Sequence, residues 1–284
     1  MRIELNVKMF AVGGCLLLAI LSLLLASGCG GSDHKSPNAP AVDIQPGVSS
    51  PVRMSQAPSG QLVVSEFTQG KVLFLDPETL DVLSHINVRG RLSGVAATAA
   101  VIFVGNESTG SVDAYSYEGE LLYKLGAGDG EFVKPNDIVI NEINDEVYVV
   151  DTLAKVVKVF RLDGTLLTPD FGEGRLNYPT GIAIDQDSGT VLISDFATGT
   201  GSNGCSGSLC FDTTKFLPGI WRFSLNGNYL GLLQGDFSRP QGLAVADGLI
   251  YVVDSLLGQV IVYQQDPGTS LYGELARYGG GGAS

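Results

Sequence analysis

Few residues in this sequence have the types and spacing that chemistry needs. Asn136 and Asp137 stand together where comparable segments read Thr180-Gly181 and Gln241-Gly242. An acid in a glycine position can bind a ligand or a divalent cation through its carboxylate, or it can serve as a turn acid. Asn136, Asp137, Thr180 and Gln241 are therefore the candidate ligand-binding residues. Glu66, Asp151, Asp195 and Asp254 recur, each ending a β-rich run such as Val147-Tyr148-Val149-Val150-Asp151. A ring of acids can hold a cation. Their recurrence in unit after unit instead points to hydrogen bonds with loop backbone.

Other motifs carry less. Gly126-Ala127-Gly128-Asp129-Gly130 has the glycines of a phosphate loop, but no helix follows to supply the N-terminal donors. Asp185-Gln186-Asp187-Ser188-Gly189 opens like a calcium loop without the distant glutamate that completes one, and Trp221 follows a core pattern. The only histidines are His34 and His85, so a multi-histidine metal centre has no ligands here, and no serine nucleophile elbow is present. With 17 Lys and Arg against 30 Asp and Glu, the net charge of -13 repels a nucleic-acid backbone. It favours cationic partners or divalent ions over anionic substrates.

These candidates need elements to position them, and the chain supplies the elements by repetition. Strand-one segments read Ser93-Gly94-Val95-Ala96-Ala97, Asn136 to Ile140, Thr180 to Ile184 and Gln241 to Val245, the last three headed by Pro135, Pro179 and Pro240. Strand-two runs end at Glu66, Asn106, Asp151, Asp195 and Asp254, at steps of 40, 45, 44 and 59 residues. Strand three begins six residues later, near Val72, Val112, Val157 and Val260, and closes in hairpin dipeptides such as Glu118-Gly119 and Asp163-Gly164. A fourth strand such as Leu121 to Leu125 leads into a glycine-rich joint. Four short antiparallel strands every 40 to 45 residues, with no helical period between them, predict an all-β chain: a β-propeller of four-stranded blades, with five blades visible. The glycine-rich ending after Tyr278 matches the joints before Pro135 and Pro179, which allows either a five-bladed ring or a truncated six-bladed one. The stretched fourth step places an insertion between Asp195 and Ile220. Joints and strand-two-to-three loops share one face, expected to bind a protein or small ligand.

The Pro-x-Gly-Ile-Ala-Ile opening and the Val-Tyr-Val-Val-Asp strand resemble the NHL repeat, and the first two units also resemble the related YVTN repeats. The resemblance covers Pro51 to Ser284. It implies a propeller without naming an activity. Lactonases on six-bladed propellers hold a divalent ion through carboxylate and amide ligands, so the resemblance leaves a metal-dependent hydrolase or lactonase as the alternative to a binding scaffold.

Residues 1–28 have the features of an export signal: Arg2 and Lys8, then an uncharged run from Met9 to Ser32 centred on Leu16 to Ala26. A retained transmembrane anchor is the competing reading. Ala26-Ser27-Gly28-Cys29 resembles the lipobox of bacterial lipoproteins, which implies lipidation at Cys29 and an exported, membrane-anchored protein. Residues 29–50 form a flexible tether and 51–284 the propeller. Cleavage before Cys29 leaves 15 basic and 29 acidic residues, a charge of -14. Cys205 and Cys210 then remain as an even pair in an exported chain and read as a disulfide, with a metal pair as the competing reading.

Overall fold

The structure is a computed structural model and describes residues 47–167, 169–196, 205–206, 209–210, 218–233, 235–266 and 271–280. The signal, Cys29 and nearly all of the tether lie outside the described residues. So does most of the insertion.

Among the described residues, five antiparallel blade sheets follow one another along the chain, with a separate two-stranded sheet inserted in the fourth blade. The first blade comprises β1 (Pro51–Gln56), β2 (Leu62–Glu66), β3 (Lys71–Leu75) and β4 (Val82–Asn87), and the second β5 (Leu92–Ala97), β6 (Ile102–Asn106), β7 (Ser111–Tyr115) and β8 (Leu121–Lys124). The third holds β9 (Pro135–Asn141), β10 (Glu146–Asp151) and β11 (Val156–Arg161). In the fourth, β12 (Pro179–Asp185) and β13 (Thr190–Asp195) are followed by the inserted pair β14 (Cys205–Ser206) and β15 (Leu209–Cys210), then β16 (Gly219–Ser224) and β17 (Tyr229–Leu233). The fifth has β18 (Pro240–Ala246), β19 (Leu249–Asp254), β20 (Gln259–Gln265) and β21 (Tyr272–Gly279). All five strand-two runs end at the polar residue that marked them in the sequence.

The third blade departs from the expected four strands. Its sheet has three, and its outer edge is held by the isolated bridges Val157↔Phe171 and Phe160↔Leu166. Pro169 lies in that edge segment and has no N–H to give to a ladder, so a continuous fourth strand cannot form.

Strand two is apolar on both sides because both sides are covered. In β10, Val147 and Val149 pack toward the second blade against Phe103 and Ala114, while Tyr148 and Val150 pack toward the fourth against Val191 and Ile193. The period of two thus splits one run between two cores. Four such cores fill the seams from the first blade to the fifth. Two further clusters each draw on one blade: Leu62, Val64, Leu73 and Leu75 in the first, and Tyr251, Val253, Val260 and Val262 in the fifth.

Hydroxyls stitch the innermost strands at the same seams. The Ser65 Oγ donates to Ser93 O, the Ser93 Oγ to Pro135 O, the Thr152 Oγ1 to Pro179 O at 2.6 Å, and the Thr180 Oγ1 to Pro240 O at 3.2 Å. Among the described residues, no bond of this kind and no shared apolar cluster joins the fifth blade to the first.

Candidate functional site

Every blade begins at one face of the propeller and reverses at the other. Joints and strand-two-to-three turns make up the joint face. The hairpin face carries the turns that connect strands one and two, and three and four.

The recurrent polar residues are spent on the joint face. Asp151 accepts the N–H groups of Val133 and Lys134, both at 2.8 Å, and Asp195 those of Asn177 and Tyr178, both at 2.7 Å. Asp254 accepts from Ser238 at 2.6 Å and Arg239 at 3.0 Å, and Glu66 from Ser49 and Ser50. Asn106 reverses the polarity, donating its amide to Arg89 O at 2.8 Å. Each side chain therefore clamps the joint that leads into strand one of its own blade. Bonds to its own turn, as the sequence suggested, are present as well: Ala154 donates to Asp151, and Leu256 and Leu257 to Asp254. Burial pushes the Asp195 carboxyl up to about 6 against the lowering effect of its two N–H donors and Lys155.

Asp137 is different. Three of the other blades have glycine at its position, two residues into strand one: Gly94, Gly181 and Gly242. The first blade has Arg53. The Arg53 Nε lies 3.5 Å from the Asp137 Oδ1, and its Nη2 donates to Thr180 O at 2.8 Å, so a single cation bridges the first, third and fourth blades across the axis. Asp137 also accepts the N–H groups of Ile138 and Ile182, each at 3.1 Å. Burial raises its carboxyl, while Arg53 and these donors work in the opposite direction. The Arg53 Nε is buried and makes no directed hydrogen bond.

Asp137 lines a cavity of about 480 Å³ on the propeller axis, and Arg53 pairs with it from outside the lining. The lining is mixed: the apolar side chains of Met54, Ala96, Ile138, Ile182, Ile184 and Leu243 stand beside Ser55 and Asp137, and it continues to Gln56, Glu142, Ile143 and Gln186 at the hairpin end of the inner strands. The cavity thus extends from the ion pair toward the hairpin face, whereas the sequence reading had placed ligands on the joint face.

Asp137 lines the cavity. Asn136, Thr180 and Gln241 sit one residue closer to the joint. Asn136 is buried at the bulge where β9 shifts register against β10. The Thr180 hydroxyl lies in the seam, 3.2 Å from the Ser194 Oγ, and Gln241 contributes its backbone carbonyl to the same seam. Among the described residues, no group of three or more His, Cys, Asp or Glu side chains is placed to hold a metal ion. Cys205 and Cys210 are paired Cα to Cα in the β14–β15 ladder.

Sequence reasoning missed Arg53. Its signal was nevertheless present, because Arg53 follows Pro51 by the same two residues that separate Asp137 from Pro135.

Residues 71–169 match a protein family described as 6-bladed beta-propeller. Among solved structures, the hydrazine synthase of Kuenenia stuttgartiensis is similar, with a TM-score of 0.54 at 15% identity over 84% of this chain and 89% of that one. That similarity concerns the fold. A search of the curated proteins finds no match.

Proposed function

We propose that this chain is an exported, lipid-anchored propeller of the NHL type that acts as a binding scaffold, with its ligand seated in the axial cavity. The observation that carries this reading is the cavity itself: a lining of apolar side chains and polar groups that includes Asp137, whose charge Arg53 balances. Such a site suits a small, uncharged molecule with an apolar body and hydrogen-bonding groups for Asp137 and the polar part of the lining. Anchoring through Cys29 is supported by the lipobox resemblance and the tether that follows it. The Cys205–Cys210 disulfide is supported by their pairing across an antiparallel ladder, where opposed Cα atoms lie about 4.5–5.5 Å apart, inside the range a disulfide spans.

Nile red, an uncharged apolar dye with a carbonyl group, serves as the probe. Its emission should rise on titration into the protein and lose most of that rise in Gln186→Trp, which plugs the mouth from an exposed position. Equal dye binding in the two proteins would remove the cavity from the account. For the anchor, Cys29→Ser should block processing, read by mass spectrometry of the N-terminus. Normal maturation of that variant would overturn it.

A further inference from the structure

Among the described residues, the seam between the fifth blade and the first differs from the other four. The inner strands β1 and β5, β5 and β9, β9 and β12, and β12 and β18 pack side by side, whereas β18 and β1 do not pack in that way.

Each of the four packed seams takes an apolar side chain from the joint that crosses it. Phe132, Leu176 and Phe237 stand three residues before Pro135, Pro179 and Pro240, and each packs with both the blade it introduces and the blade before. Val88 does the same ahead of Leu92. The outer segment that precedes each joint adds a second apolar side chain to the same seam: Ile86, Tyr123, Phe171 and Leu233. These stand six to twelve residues before the head of the next strand one.

The first blade has the same sequence arrangement with no described blade ahead of it. Val48 stands three residues before Pro51 and packs against Leu62, Val64, Leu73 and Leu75, on the flank that faces away from the second blade. Met54, Leu80 and Val82, the other described side chains on that cluster, belong to the blade itself. The Ser49 and Ser50 N–H groups donate to Glu66 and the Phe67 N–H donates to Ser50 O at 2.9 Å, so the joint is fixed. Gly47, with a φ of 106°, sits beside Val82 of the outer strand β4. The chain thus reaches β1 across this flank, coming from its outer side.

Residues 41–46, immediately upstream, lie outside the described residues, and their sequence is Ala-Val-Asp-Ile-Gln-Pro. In an extended segment Val42 and Ile44 fall on one side and Asp43 and Gln45 on the other. Ile44 stands seven residues before Pro51, inside the spacing of its counterparts. Residues 30–40 contain no large apolar side chain, so Val42 and Ile44 stand apart from the rest of the tether.

We propose that residues 41–46 dock as an extended segment along the outer half of the first-blade flank, with Val42 and Ile44 turned to the Leu62, Val64, Leu73 and Leu75 cluster. The occupant is the chain's own tether, because Val48 already seats the chain on the flank and holds the residues before it at a local concentration that a separate molecule does not match. The consequence concerns reach, and it alone rests on the anchored reading above. Eleven residues, 30–40, are left free beyond Cys29, a span of about 40 Å where residues 30–50 would span about 75 Å.

Single substitutions Val42→Cys, Asp43→Cys, Ile44→Cys and Gln45→Cys in the detergent-purified full chain, labelled with N-ethylmaleimide and read peptide by peptide in a mass spectrometer, test the docking. Positions 42 and 44 should react at least about tenfold more slowly than 43 and 45 in buffer, and at the same rate in urea. Val42→Ser/Ile44→Ser should also lower the midpoint of thermal unfolding, where Asp43→Ser/Gln45→Ser leaves it unchanged. Equal labelling at all four positions in buffer would overturn the proposal. So would slow labelling that appears only as the protein concentration rises, which would assign the flank to a second copy. The labelling does not depend on acylation: failure here leaves the Cys29 anchor standing, and an unacylated Cys29 leaves the docked segment in place.

Discussion

Carboxylates on the two faces of this propeller have opposite fates. On the joint face, Asp151, Asp195 and Asp254 are buried and each satisfies two backbone N–H groups of a joint that has no ladder to bond with. On the hairpin face, Glu118, Glu142 and Asp187 stand in turns and are exposed. One residue type therefore builds the frame at one end and sets the surface potential at the other. Recurrence in the sequence marks the first role, whereas Asp137, the acid at the inner end of the cavity, stands where three other blades have glycine.

The sharpest contrast is a pair of alanine substitutions. Asp151→Ala removes two charge-assisted hydrogen bonds and strands two donors, and should cost about 3–4 kcal/mol in urea unfolding. Glu118→Ala, in an exposed hairpin turn, should change stability by less than about 0.5 kcal/mol. Similar values for the two would erase the distinction between the faces.

Next in size is a pH effect. The folded protein holds the Asp195 proton more tightly than the unfolded chain does, because its carboxyl is raised from 3.8 to about 6. That contribution is fully present below about pH 4 and is lost as the pH rises through about 6, on the order of 2–3 kcal/mol. Stability measured across this window should decline for the native chain, and Asp195→Asn should flatten that part of the profile.

Seam hydroxyls should matter less. Ser93→Ala leaves the Pro135 carbonyl without its hydroxyl donor in a buried seam and should cost about 1–2 kcal/mol. The smallest effect runs the other way. Strand-two-to-three turns use glycine at a positive φ in three blades, Gly70, Gly110 and Gly258, whereas the third blade holds Lys155 at 62°. Lys155→Gly should stabilise the protein by about 0.5–1 kcal/mol, read as a raised midpoint in thermal unfolding.

Repetition made the fold legible. Strand ends at Glu66, Asn106, Asp151, Asp195 and Asp254 could be placed to the residue because each is both the last pairing position and a clamp. The fourth strand of the third blade was not legible, since one proline outweighs the β-forming residues around it. Asp137 stood out as an acid among glycines. Its partner did not, because an ion pair between blades more than 80 residues apart is invisible to any local pattern, and the cavity's direction depends on that pair.

Amide hydrogen exchange with and without bound Nile red tests most directly whether the binding cavity opens away from the joint face. Protection is expected in the turns around Glu142 to Asp145 and Gln186 to Gly189 and along the cavity-facing parts of β9 and β12, with the joints at Val133–Lys134 and Ser238–Arg239 unchanged. Protection confined to those joints, with the hairpin turns unaffected, would contradict the account.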